Sequence, residues 1–447
     1  MTQPEQFLDR LDDLIGKAVT CGADAADAVL ISGASLSVAR RLGKPEHLER
    51  SEGSDVGLRV FIGRRQAIVS SSDLSAQGLA ELPARAVAMA RSVPEDPYCG
   101  LAEPELLAGA VPDLDMYDAA EPDAEALVAL AAEAEEAAMA VPGVTNSEGA
   151  QAGWSLISVA LAATNGMARA YRRSGFSLSA AVVAGKGTAM ERDYDYTSAV
   201  HLADLRAAAE IGRAAGERAV RRLNPRRAAS AEVTVVFDPR VSSSLLGHLA
   251  GAINGASVAR GTSFLKDKLG ESIFAQGINV VDDPLRRRGL RSKPFDAEGV
   301  ATRRRNVVDD GRLTTWILDL SSARQLGTRT TGHAARGPSS PPSPTPTNFY
   351  LEPGPLSPAD LMADVKVGLY VTELIGMGVN AVTGDYSRGA AGFWIENGQL
   401  AYPVSEITIA GNLKDMFARM SAADDLVFRY GTDAPTVRID AMALAGR

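Results

Sequence analysis

"SDVGLRVFIGRRQAIVSSSDLS", residues 54–75, holds a strand, a tight turn, a returning strand and the start of a helix, in that order. Val56, Leu58, Val60 and Ile62 recur at a period of two, the pattern of a strand with one face against a core. Gly63 to Arg65 supply the turn. Asp73 or Ser75 is placed to cap a helix running through "LAELPARAVAMARSV", with Pro83 near its beginning and its end before Pro94. Upstream, Phe7, Leu8, Leu11, Leu14, Ile15 and Ala18 recur at three- and four-residue steps between Pro4 and Thr20, which predicts an amphipathic helix. "DAVLIS" (27–32) and "SLSVAR" (35–40) read as two short strands. A helix, several strands and a helix make an α+β unit, expected over residues 1–110.

Pro94 to Pro112 reads as a linker, followed by an Ala/Glu-rich helix over Asp123 to Met139 whose acidic face is expected to be solvated. In "SLISVALAATNGMARAYRRSGFSLSAAVVA" (155–184), Asn165-Gly166 predicts a type I′ hairpin, because both residues tolerate positive φ. A helix from about Ala203 to Leu223 closes a middle domain of residues 111–224. "NPRRAAS" (224–230) reads as a second linker. Beyond it, Asp310-Gly311 joins "RRRNVV" to "LTTWILDL" and Asn397-Gly398 joins "GFWIE" to "QLAYPV". These turns predict a β-rich C-terminal domain, residues 229–447, with a large, mainly antiparallel sheet. "TGHAARGPSSPPSPTPT" (331–347) predicts a long, mobile surface loop, since proline cannot donate to a ladder.

The 447 residues suffice for two or three domains, and 46% apolar with 23% charged residues is the balance of a globular protein. A net charge of −9 argues against general attraction to nucleic acid or anionic membrane. Glu5, Asp9, Asp12 and Asp13 interrupt the first twenty residues, unlike a signal peptide, and no apolar run is long enough to span a membrane. A cytoplasmic protein is expected. The two cysteines, Cys21 and Cys99, form no disulfide framework or thiolate cluster.

"FDPRVSSSLLGHLAGAINGASVARGTSF" (237–264) predicts a strand ending at Phe237 and a helix capped by Asp238 with Pro239 at its first position. Val241, Leu245, Leu246, Leu249 and Ile253 line one face of that helix. Together with "SEGSDVGLRVFIGRRQAIVSSSDLS" (51–75), "ARGTSFLKDKLGESIF" (259–274) and "GDYSRGAAGFWIENGQLAYPVSEITIAGNLKDMF" (384–417), the stretch resembles the TldD/PmbA family, in particular its PmbA (TldE) branch. The resemblance covers almost the whole chain. It implies an N-terminal α+β part, a middle domain and a β-rich C-terminal domain that pairs with a second subunit around a cavity admitting unfolded peptides.

Catalytic TldD members are similar over this helix but carry His-Glu-x-x-x-His, with a late cysteine implied as a third zinc ligand. Aligned through Arg260-Gly261-Thr262-Ser263, the motif positions fall here on Leu246, Gly247 and Gly251, none with a donor atom. Zinc sites need imidazole, thiolate or carboxylate ligands, and hydrolysis needs a base. His248 is out of register, the other histidines are His47, His201 and His333, and no cysteine follows Cys99. The resemblance therefore implies a subunit without catalytic, metal or cofactor-binding residues, whose zinc is brought by a TldD-type partner in a heterodimer; a homodimer is the other possible assembly. Gly384, Asp385, Tyr386, Ser387, Arg388 and Gly389, with the Pro-rich loop, are candidates for lining a peptide channel, where backbone edges would bind an extended chain.

Other motifs point to bland roles. "AGKGTAM" (184–190) lacks the first glycine of a phosphate loop and reads as a turn, and no Gly-x-Ser-x-Gly elbow occurs. Asp282-Asp283 and Asp309-Asp310 lie beside turn signals, where aspartate is favoured anyway. The basic clusters Arg286–Arg288 and Arg303–Arg305, with Arg291 and Lys293 between them, read as a solvated or partner-facing surface. They are the only support for the alternative function, an interaction protein of the DNA gyrase modulator type. A third reading, an independent peptidase, lacks any nucleophile or metal constellation.

Overall fold

The computed structural model describes residues 6–446, an α+β protein built on two large sheets. Helix α1 (Gln6–Thr20) buries Phe7, Leu11, Leu14, Ile15 and Ala18, the predicted face; Pro4 lies outside the described residues. The six strands β1 (Ala25–Arg41), β2 (Lys44–Ile62), β3 (Arg65–Ser71), β4 (Val144–Ala163), β5 (Ala168–Ala184) and β6 (Glu191–Ala199) form one antiparallel sheet in the order β3-β2-β1-β4-β5-β6. The two short strands expected at 27–32 and 35–40 are one strand. Gly33 does not interrupt it, because its neighbours on both sides, Gly53 and Ile157, keep the ladder in register. The expected boundary near residue 110 falls in the irregular stretch before α4, and the sheet runs across it.

The helix expected to run through residues 79–93 is two helices, α2 (Ala76–Ala80) and α3 (Leu82–Ser92), because Pro83 cannot donate in a helix interior and restarts the helix at its first turn. Ser75 caps α2 through its bond from the Gly78 N–H. Helix α4 (Ala124–Met139) has Asp123 as its cap and packs with α5 (Ala208–Arg221) on the middle of the sheet. The helices approach so closely that a Cβ on Gly212 would overlap the Ala134 carbonyl. The acidic face of α4 is not wholly solvated: Glu135 is buried and accepts bonds from the Leu42 and Gly43 N–H groups, the Ser147 hydroxyl and Arg40. At the β4–β5 turn only Gly166 takes positive φ, 94°, and Ala163 bonds Met167 across a three-residue loop, so the hairpin is not type I′.

The second sheet has the order β16-β15-β14-β7-β19-β17, formed by β7 (Ala231–Phe237), β14 (Val367–Ile375), β15 (Asp385–Glu396), β16 (Gln399–Asn412), β17 (Met420–Ala422) and β19 (Val437–Ala445). It is antiparallel except for the β14–β7 pair. A five-stranded sheet contains β8 (Val280–Asp282), β9 (Arg305–Asp309), β10 (Arg312–Leu313), β13 (Phe349–Leu351) and β18 (Thr432–Asp433). The predicted Asp-Gly and Asn-Gly turns both occur, with positive φ at Asp310, Gly311, Asn397 and Gly398 as a type I′ turn requires. "LTTWILDL" is a strand only to Leu313 and then leads into helix α8 (Leu320–Gln325). Helices α6 (Pro239–Ala252), α7 (Gly255–Ala259), α9 (Pro358–Met362) and α10 (Leu413–Ala418) complete the domain.

The Pro-rich segment departs most from expectation. Its two short strands, β11 (Ala334–Ala335) and β12 (Ser343–Pro344), pair with each other, and Thr331, Gly332, His333 and Ala334 are buried. His333 Nε2 lies 2.9 Å from Asp282 Oδ1. Arg336 donates to Asp27 Oδ1 on β1 at 2.6 Å, and the Pro338 carbonyl sits where a Cβ on Gly57 would be. Only Ser339 to Pro341 and Ser343 are exposed. Composition suggested a free loop; four buried polar side chains with distant partners make it an interdomain strap.

Candidate functional site: the helix after β7

Strand β7 ends at Phe237, and Asp238 turns the chain into α6 by accepting from the Arg240 N–H at 3.0 Å, with Pro239 at the first helical position. Leu245, Leu246 and Leu249 fall on the face that meets the C-terminal core. Leu246 is therefore 1% exposed, while Gly247 and Gly251, one helical turn apart, face outward. A Cβ at either glycine would meet nothing within 4 Å. The three motif positions thus divide: one is sealed in the core and two form a bare strip of helix.

His248 lies between that strip and the core. Its ring stands edge to face with Tyr386 of β15, and both His248 Nε2 and Tyr386 Oη are buried without hydrogen-bond partners. Burial, and then the Arg388 charge, hold the imidazole below its ordinary pKa; burial holds the Tyr386 phenol above its own. His248 is neutral near pH 7, but it is a single imidazole. With Leu246, Gly247 and Gly251 beside it, the residues present do not fit a zinc ion, which takes three or four protein donors. Among the described residues no group of three or more His, Cys, Asp or Glu side chains is placed to hold a metal.

Residues 384–389 enter β15. Their outer edge is filled by their own chain: the Ser387 N–H donates to the Gly378 carbonyl at 2.7 Å and the Asn380 N–H to the Asp385 carbonyl at 2.9 Å. On the other edge β16 pairs with Asp385 to Gly389. Tyr386 is 2% exposed, Asp385 and Ser387 are exposed, and Arg388 and Gly389 are half-buried. Side chains from this segment can face a channel; its backbone edges are already used.

Beside the first turns of α6, Arg388 also lines a cavity of about 280 Å³ with Arg192, Arg222, Arg240, Asp193 and Glu373. Arg240 holds Asp193 at 2.7 Å, and Arg222 is paired with Glu373. No local signal announces this charged cleft, because β6, α5, α6 and β14 bring its residues together only in the fold. It offers salt-bridged walls for a polar chain, and the Ser244 hydroxyl that also lines it donates to the Val241 carbonyl of its own helix.

The remaining candidates are structural. Asp282 is buried, accepting from the Thr347 N–H and hydroxyl and meeting His333, and Asp310 accepts from the Gly277 N–H in its turn. Residues 184–190 form a turn with positive φ at Gly185 and Gly187. The arginine clusters are partly spent: Arg288 pairs with Asp115 and Asp204, Arg304 with Glu352, and Arg286 stacks on Phe428. No described helix is long and apolar enough to cross a membrane.

Comparison with known proteins matches this architecture along the chain. Residues 26–90 match domain 1 of the PmbA/TldA metallopeptidases, 117–223 their central domain and 230–446 their C-terminal domain. The metalloprotease PmbA of Escherichia coli O157:H7 is 39% identical over 95% of this chain and 93% of its own, and a PmbA homologue of Haemophilus influenzae is 36% identical over 99% and 97%. A crystal structure from Bacteroides thetaiotaomicron, of a protein proposed to modulate a DNA gyrase, superposes with a TM-score of 0.91 at 28% identity over the full length of both chains. TldE from Thermococcus kodakarensis shares the fold, with a TM-score of 0.86 at 21% identity over 97% of this chain and 99% of that one.

Proposed function

Since the chain belongs to the PmbA/TldD metallopeptidase family, we propose that it is the non-catalytic, PmbA/TldE-type subunit of a cytoplasmic metallopeptidase. Its partner is a TldD-type chain that brings the zinc, and the pair degrades or processes unfolded peptides. The observation that carries this reading is the split at α6: Leu246 is in the core and Gly247 and Gly251 have no side chain, so the frame of a metal helix persists without donors. This subunit's part is to close one wall of the chamber, with the bare strip of α6, the exposed Asp385 and Ser387 and the charged cleft facing the substrate. Exposed Ile375, Met377 and Val382, beside the same segment, give the C-terminal domain an apolar surface for the partner.

Metal analysis and peptide cleavage assays test it. The purified chain is expected to hold no stoichiometric zinc and to cleave no unfolded peptide; adding a TldD-type partner should produce activity that chelators abolish, with His248→Ala leaving it intact. One zinc per isolated chain, or activity lost on His248→Ala while the complex still forms, would overturn the proposal. The alternative, a gyrase modulator without proteolytic role, has the description of the Bacteroides thetaiotaomicron relative in its favour. Ion pairing of Arg288 and Arg304 weighs against a free basic surface. Salt-dependent DNA binding by the purified chain would revive it.

A further inference from the structure

A second cavity, of about 100 Å³, lies where the N-terminal sheet meets the C-terminal domain. Val29 of β1, Leu161 of β4 and Tyr171 of β5 form one wall. Phe295 forms the opposite wall, its ring edge-on to Tyr171 at 5.4 Å. Three charged residues line this otherwise apolar space: Lys293, Asp296 and Arg336.

Donors and acceptors do not balance locally. Asp296 is committed elsewhere, with Oδ1 accepting from the Glu298 and Val300 N–H groups at 2.9 Å and Oδ2 from the Ala334 N–H at 3.1 Å. Asp282, the other carboxylate near Lys293, is taken by His333 and Thr347. Lys293 is held below the ordinary ammonium range by burial, which outweighs the attraction of Asp296 and Asp282, while Arg173 and Arg291 add repulsion. Arg336 uses Nη1 on Asp27, and its Nε and Nη2 are buried with no acceptor. A buried guanidinium with two unmet donors is costly, because each has lost its water without a replacement. The cavity therefore has surplus donors on Arg336, and a lysine whose neighbouring carboxylates are bonded elsewhere, beside aliphatic and aromatic walls.

We infer that this cavity binds a carboxylate with a short aliphatic body. The carboxylate enters beside Lys293 and Arg336, supplying the acceptors that Arg336 lacks and a partner for the Lys293 ammonium, and the body packs on Val29, Leu161 and Phe295. A phosphate fits less well, since its second charge and its further oxygens would face the apolar walls and Asp296. The same chemistry is presented by a free short-chain acid and by the C-terminal residue of a peptide.

Calorimetry and thermal unfolding of the full chain with isovalerate, isovaleramide and N-acetylvaline test the inference. Isovalerate should bind saturably and raise the melting temperature, with the uncharged amide at least about tenfold weaker, the ratio for one charge-assisted pair. Binding of N-acetylvaline as well identifies a peptide terminus as the occupant; binding of isovalerate alone identifies the free acid. Arg336 also holds Asp27, so Lys293→Met, which leaves that ion pair intact, is the first variant, and binding should weaken about tenfold. Val159→Phe, filling the cavity while keeping every charge, is the second and should abolish it. Absence of saturable binding by either acid, equal binding by the amide, or full binding by both folded variants would overturn the inference.

Discussion

The His248 and Tyr386 rings stand with centroids 5.9 Å apart and planes inclined at 77°, and neither polar tip has a partner. Burial, reinforced by Arg388, depresses the His248 pKa. A histidine whose folded pKa is lowered contributes no penalty above its unfolded value, about 6.5, and costs stability as pH falls below it, because the unfolded state then binds more protons. Proton NMR should find the His248 pKa below 6.5, and Arg388→Gln should raise it. A pKa at or above the free value would mean that the ring is hydrated.

Gly247 and Gly251 weaken α6 for no reason internal to the chain, since an added Cβ has room at both. Each change to Ala should stabilise the isolated protein by about 0.5–1 kcal/mol in urea unfolding, the helix-propensity difference. If the strip faces the chamber, the same changes should lower peptide cleavage by the assembled complex. Unchanged cleavage would remove the strip from the substrate path.

Glu298 is buried, and burial followed by the neighbouring Asp296 charge pushes its pKa up to about 8. Unfolded glutamate titrates near 4.3, so between about pH 4 and pH 8 the folded state keeps a proton that the unfolded state has lost. Stability should fall as pH rises through that window. Glu298→Gln keeps an acceptor for the Leu320 N–H and should flatten the decline in urea midpoint. A parallel decline in wild type and variant would assign it to another group.

The strap over residues 331–347 should divide into a dispensable tip and an essential base. Deleting Ser339 and Ser340 should leave the melting temperature nearly unchanged. Arg336→Ala should cost about 3 kcal/mol, the lower end for breaking a buried ion pair, since Arg59 still donates to Asp27 at 3.0 Å. Equal effects of the two changes would contradict the packing described.

What could be read beforehand was local. Helix α1, the hairpin after Val56, the Asp-Gly and Asn-Gly turns at Asp310 and Asn397 and the capped start of α6 depend on neighbours within a few residues, and periodicity or turn chemistry reports those directly. The strap could not be read, because its polar composition suits a loop until Asp27, 309 residues from Arg336, supplies the partner. Burial of Glu135 was hidden for the same reason: its donors Leu42 and Gly43 belong to a distant hairpin. At the degenerate helix the missing donor atoms were legible from residue types. That Leu246 faces inward, and that Tyr386 covers His248, needed the sheet that brings β15 against α6.

The ion pair between Asp27 and Arg336 also governs how the molecule can move. Stretches such as 94–112 and 224–230 look like hinges in the chain, yet swinging one sheet away from the other would strand two guanidinium groups and a carboxylate in an opening crevice. The Arg324 side chain, donating to the Gly100 and Leu101 carbonyls, adds a second clasp across the same seam. The chain must therefore move as one rigid body, so that in the complex proposed above substrate would enter by parting or flexing at the contact between the two chains.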